Sequence, residues 1–185
     1  MEINDIPHKD GVVFLENDMV CFRVSSKDNT SCHKIHNIVR TLFDDAKVIY
    51  KFISFDEDLQ LSEKLLKDER IKYFEKKSKF KFFTISYPEL HAEVSHSNTL
   101  MKILYNWSST IYHTRVLYIV DSKDVDCVYS ALESDVYKDT DSVLSTWHNI
   151  KIAIRNQPEA EYHNTFLVFA HKKYLESIQK MLVEE

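Results

Sequence analysis

Between His113 and Asp121 the chain reads Thr114-Arg115-Val116-Leu117-Tyr118-Ile119-Val120, an almost continuous apolar run of strand length. A strand with one wet face alternates apolar and polar residues, whereas an unbroken run belongs to a strand buried on both faces. This segment is therefore expected at the centre of a sheet covered by helices. After Asp121, Val125, Val128, Ala131 and Leu132 recur at helical spacing and predict a helix from about Lys123 to Glu133, with Asp121 or Ser122 as its N-cap. Before the strand, Leu90, Val94, Met101, Leu104 and Tyr105 lie close to one helical face, and Pro88 suits a first helical turn, where its missing N–H is not needed. That segment, ending near Trp107, reads as the longest helix.

Working outward, Val12 to Leu15 and Val20 to Val24 flank Glu16-Asn17-Asp18 and predict an N-terminal β-hairpin with an Asn/Asp turn. Cys32, Ile35, Val39, Leu42 and Phe43 then predict an amphipathic helix up to Asp44, followed by a strand over Val48 to Ile53. Leu59 to Arg70 reads as a charge-rich helix, and Phe80 to Tyr87 as an aromatic strand. Toward the C-terminus, a short helix over Ser142 to Trp147 precedes two paired strands, Ile150 to Ile154 and Thr165 to Phe169. A closing helix carries Tyr174, Leu175, Ile178 and Leu182. The fold class is α/β, of the α+β kind: a mixed β-sheet with helices packed on it, an N-terminal β-hairpin and a C-terminal ββα unit. No linker or low-complexity tract interrupts the pattern, and residues 1–185 read as a single globular domain.

Gly11 is the only glycine in 185 residues, against on the order of a dozen at average usage. Phosphate-cradling loops and dinucleotide turns need glycine for positive φ and for close backbone approach, so a Walker loop, a Rossmann fingerprint, a kinase glycine loop and a nucleophile elbow are all excluded. Nothing calls for a cofactor. Turns fall to Asn and Asp, which tolerate the left-handed region. The wealth of Lys, Ile, Asn, Tyr and Phe resembles products of AT-rich genomes, those of many phages and viruses among them. Three widely spaced cysteines, Cys21, Cys32 and Cys127, and the lack of an apolar leader or a run of roughly 20 apolar residues, point to a cytoplasmic protein without a membrane segment.

Charge is segregated along the chain. From Arg70 to Lys81 six basic residues (Arg70, Lys72, Lys76, Lys77, Lys79 and Lys81) stand against Glu75 alone, a local balance of +5 in a chain of net charge −5. From Asp121 to Asp141 seven acids face two lysines. The basic segment is interleaved with Tyr73, Phe74, Phe80, Phe82 and Phe83. Cations beside aromatic faces are what single-stranded nucleic acid binding over residues 70–83 requires. The same pattern is also that of a half-buried strand whose lysines solvate its outer face, and a negatively charged chain lacks the usual nucleic-acid footprint. A docking surface for an acidic partner protein fits as well.

Nine histidines raise metal and acid–base chemistry. His33 and His36 share a helical face, but Cys32 belongs to the apolar stripe and no third ligand keeps fixed spacing, so no metal site is assigned. His91 and His96 are five residues apart and diverge by about 140° around a helix, unlike the zinc-protease spacing. His163-Asn164-Thr165, opening an apolar strand, resembles half of the signature of the two-histidine phosphoesterases. That resemblance implies a general acid or base at His163 and a phosphate-binding hydroxyl at Thr165. The second motif is incomplete: Thr114 follows His113 one residue early, and Glu93 stands where His91 would need a hydroxyl.

Isolated candidates without a convergent set favour a non-enzymatic role. The reading is a small binding, regulatory or assembly protein whose partner is another protein, with Arg70, Lys72, Lys76, Lys77, Lys79 and Lys81 as binding residues. Single-stranded nucleic acid binding and a phosphodiesterase activity at His163 and Thr165 are the alternatives. Oligomeric state is not legible.

Overall fold

The computed structural model describes residues 11–15, 18–42, 46–53, 67, 69–79, 84–105, 115–133, 149–156 and 164–183. The apolar run after His113 forms strand β6 (Arg115–Asp121), and Val116, Leu117, Tyr118, Ile119 and Val120 are all buried, alternating between two core clusters on opposite faces. Around it lie β1 (Val12–Phe14), β2 (Met19–Ser26), β3 (Ala46–Ile53), β4 (Arg70–Lys79), β5 (Thr84–Val94), β7 (Ile150–Asn156) and β8 (Asn164–His171). The helices are α1 (Thr30–Leu42), α2 (Ser97–Tyr105), α3 (Val125–Glu133) and α4 (Leu175–Val183). The strand order is β1-β2-β8-β7-β6-β3-β5-β4, so β6 is interior as its sequence demands.

The expected α+β architecture, N-terminal hairpin and C-terminal ββα unit are present. In the hairpin Asp18 takes φ 57°, the left-handed turn conformation foreseen for this glycine-poor chain. The expectation of a mixed sheet is corrected, because every described ladder is antiparallel. The helical crossovers do join strands of like direction, β2 to β3 through α1 and β5 to β6 through α2. Antiparallel strands are inserted between each joined pair, so like-directed strands never become neighbours.

A second correction concerns Pro88 and the helix expected after it. Residues 84–94 are strand, and helix begins only at Ser97. Leu90, Ala92 and Val94 enter one core while His91 and Glu93 alternate away from it, a period of two that the wider-spaced apolar residues obscured. Pro88 lies opposite Glu75 of β4, one position beyond Glu89, where the described pairing of β5 with β3 ends. Arg70, expected to end a helix, instead opens β4. Of the helix expected over Leu59 to Arg70, residues 59–66 and 68 lie outside the described residues, as do the start of the aromatic strand at Phe80 to Phe83 and the helix over Ser142 to Trp147.

One face of the sheet is covered by α1, α2 and α4. Ile35, Ile38, Leu100, Ile103, Leu104 and Ile178 pack there on Phe22, Leu90, Leu117, Ile119, Ile152 and Val168. The other face is covered by α3, through Val125, Val128 and Tyr129 on Cys21, Tyr118, Leu167 and Phe169. The two strand-to-helix units β6–α3 and β8–α4 correspond at an offset of 50 residues. Each passes through a three-residue 3₁₀ turn, Ser122–Asp124 or Lys172–Tyr174, into a nine-residue helix. Equivalent residues point to opposite faces, Val116 and Val128 to the α3 side and Phe166 and Ile178 to the other. One structural unit thus covers both sides of the same sheet.

Candidate functional site

The basic segment becomes β4, the outermost strand at one end of the sheet, antiparallel to β5 over ten register pairs from Arg70↔Glu93 to Lys79↔Thr84. Arg70, Lys72, Lys76, Lys77 and Lys79 occupy it, and Lys81 lies outside the described residues. Ile71 packs toward the α1 and α2 side. Of the interleaved aromatics only Tyr73 and Phe74 belong to β4, and Phe80, Phe82 and Phe83 are outside the described residues.

The ladders reveal a feature that the linear sequence hides. Register places Arg23, Leu167, Arg155, Val116, Lys51, His91 and Lys72 in one row across seven strands, and Leu167 and Val116 of that row belong to the core under α3. His91 is fully buried in that row, its ring stacked 6.3 Å from Tyr129 of α3. Arg23 is only 9% exposed, and its Nε donates to Ser25 Oγ at 3.2 Å. One signal was available in the sequence, a charged residue inside the apolar strand Val20 to Val24. Its alignment with Arg155 required the ladder.

His163 lies outside the described residues, so the phosphoesterase-like motif is represented by Thr165 alone. Thr165, the second residue of β8, lies directly opposite Ser25, is 3% exposed, and its Oγ1 has no hydrogen-bond partner among the described residues. The helix histidines make ordinary interhelical contacts. His33 Nε2 is 2.9 Å from the Tyr105 hydroxyl and His36 Nε2 is 2.8 Å from Ser97 Oγ, which ties α1 to α2. Burial, with Arg40 close by, pulls the His36 pKa below its usual value. Among the described residues no group of three or more His, Cys, Asp or Glu side chains converges as a metal site would need.

Glu69, which no motif flagged, accepts from the backbone N–H groups of Ser95 at 2.8 Å and His96 at 3.2 Å, and its Oε1 is 3.0 Å from His96 Nδ1. Its side chain is 1% exposed. It satisfies amides at the start of α2 and anchors the first residue of β4 beside that helix. Asp121, by contrast, makes no side-chain capping bond and pairs with Lys151 Nζ at 2.6 Å, so the expected N-cap role is replaced by an ion pair. That hydrogen bond, with the charges of Lys151, Lys123 and Lys173, holds the Asp121 carboxyl below its usual range against the opposing effect of burial.

Burial pushes the thiol of Cys21 up to about 12 and that of Cys32 up to about 11, which makes both inert packing residues at neutral pH. Cys127 is exposed and accepts from Asn149 Nδ2 at 3.3 Å. An open depression lined by Asp18, His171, Lys172 and Lys173 lies beside β1. Its lysines rest over the rings of Phe14 and Tyr174, at 5.8 and 4.9 Å. Among the described residues no helix is long and apolar enough to cross a membrane. No family model, curated protein or solved structure was found to match this chain.

Proposed function

We propose that this chain is a non-enzymatic binding or assembly protein that takes an acidic, extended segment of a partner protein onto edge strand β4. The observation that carries this reading is the position of the basic segment. Five of its six cations fall on a ten-residue strand that ends the sheet in the described strand order. An outermost strand offers a row of backbone donors and acceptors to an incoming strand, and side chains on alternate positions select for it. Lysines there repel a second copy of the same edge and attract a carboxylate-bearing one. Glu69 supports the reading by fixing where β4 begins.

The test is fluorescence anisotropy with three labelled probes: an alternating Glu-Val decapeptide, its Lys-Val counterpart and a thymidine oligonucleotide. The acidic peptide is expected to bind and the basic one to fail. Lys72→Glu combined with Lys76→Glu and Lys77→Glu is expected to weaken binding at least tenfold. Tight oligonucleotide binding that falls steeply with salt, together with indifference to the acidic peptide, would transfer β4 to nucleic acid. Failure of all three probes would reject β4 as a binding edge.

A further inference from the structure

At the end of the sheet away from β4 lies a depression of about 460 Å³ lined by Asp18, His171, Lys172 and Lys173. Small-molecule sites occupy about 300–1,000 Å³. The Lys172 N–H donates to the Asp18 carbonyl at 2.7 Å, which ties the turn after β8 to the hairpin turn before β2 and holds two sides of the depression together. The correspondence of the β6–α3 and β8–α4 units shows what is particular to this turn. Asp121 ends β6, and its carboxylate takes Lys151 Nζ at 2.6 Å. The equivalent residue ending β8 is His171, and Lys172 stands where the first unit has Ser122. A carboxylate and a hydroxyl are thus exchanged for an imidazole and an ammonium. Among the described residues neither Lys172 nor Lys173 is in an ion pair. Lys173 acts on Asp121 only at a distance, since Lys151 already holds that carboxylate.

Two adjacent ammonium groups at a depression attract an anion. The depression also has an aromatic neighbour, because Lys172 Nζ lies 5.8 Å from the centroid of the Phe14 ring, and Phe14 on β1 is 63% exposed. Any group held by Lys172 therefore has a flat apolar face within reach, and stacking on such a face suits a planar ring. Asp18 works against a bare anion but accepts hydrogen bonds from hydroxyl or amino groups. Ammonium, exposed aromatic and carboxylate together match a ligand with an anionic end, a planar ring and donor groups. We infer that this depression binds a nucleoside monophosphate, with Lys172 and Lys173 on the phosphoryl group, Phe14 under the base and Asp18 accepting from a ribose hydroxyl or exocyclic amine. Phosphate contacts made by ammonium groups rather than backbone amides need no glycine loop, which agrees with a chain whose one glycine is Gly11.

The experiment is isothermal titration calorimetry of the full chain with adenosine, guanosine and uridine monophosphates, with adenosine and inorganic phosphate as partial ligands and a thymidine oligonucleotide as competitor. At least one monophosphate is expected to bind saturably, and adenosine and inorganic phosphate each at least tenfold more weakly. Loss of charge-assisted hydrogen bonds in Lys172→Gln combined with Lys173→Gln is expected to weaken binding roughly tenfold or more. Phe14→Ala is expected to weaken it severalfold. All three side chains are exposed, so these variants are expected to unfold at the wild-type urea midpoint. No binding of any monophosphate, inorganic phosphate binding as tightly as the best of them, or either variant binding as the wild type does would overturn the assignment. Oligonucleotide binding at least tenfold tighter than any monophosphate would overturn it in favour of nucleic acid. Charge reversal on β4 is expected to leave monophosphate binding unchanged, which separates this site from the docking edge at the other end of the sheet.

Discussion

Replacing Glu69 by alanine removes one carboxylate that serves the N–H groups of Ser95 and His96, the imidazole of His96 and the hydroxyl of Thr99. Two orphan amides at the start of α2 lose their acceptor, and a negative charge leaves the positive end of that nine-residue helix. Loss of a capping side chain costs about 0.5–2 kcal/mol. The His96 pair adds little because the imidazole is 62% exposed. With two amides involved, the upper part of that range applies, about 2 kcal/mol, or roughly 4–8 °C in melting temperature for a chain of this length. Burial works against the charge on Glu69, but the Ser95, His96 and Thr99 bonds together outweigh it and hold the carboxyl below its usual 4.5. A depressed carboxyl contributes stability that is complete above the unfolded value and fades as pH falls through the folded one. The gap between wild type and Glu69→Ala is therefore expected to be constant from pH 8 to pH 5 and to shrink below 4.5. Urea unfolding at pH 7 and at pH 3.5 measures it. A gap under about 0.5 kcal/mol at pH 7, or one of equal size at both pH values, would refute the capping role.

Two further outcomes follow from burial. Brief alkylation with iodoacetamide at pH 8, read by mass spectrometry, is expected to label Cys127 and to spare Cys21 and Cys32 until urea unfolds the chain; labelling of Cys21 in the native protein would contradict its burial. Leu117→Ala, at a fully buried site on β6, is expected to cost about 2–5 kcal/mol, whereas Val183→Ala, 82% exposed on α4, should stay within about 0.5 kcal/mol in the same urea assay.

The elements that local pattern could name were those whose signal is confined to a few residues. The run from Val116 to Val120 marked an interior strand because no partly wet strand tolerates five consecutive apolar residues. The hairpin followed from Asn and Asp between two apolar stretches, and α1 and α4 from apolar residues at helical spacing. Composition alone removed the glycine-dependent nucleotide folds, since a chain whose one glycine is Gly11 cannot build their loops. Residues 88–94 were misread because Leu90 and Val94 satisfy a helical spacing as well as a strand one, and the strand prevails only once Ala92 and its neighbours have β3 and β4 to pair with.

Strand order, the antiparallel character of the sheet and the charged row across it belong to tertiary structure alone. Arg23 and Arg155 are 132 residues apart, and no local interaction brings them together. They flank Leu167 because β8 pairs with both β2 and β7 in registers set by burial of alternate side chains, and a slip of one residue would send each arginine to the opposite face. Glu69 likewise acquires its role only when β4 docks against β5 and brings it to the start of α2. A residue's propensity and polarity act over a few neighbours, so they can name an element. Which residues become neighbours across the sheet depends on which strands lie side by side, and long-range packing alone determines that.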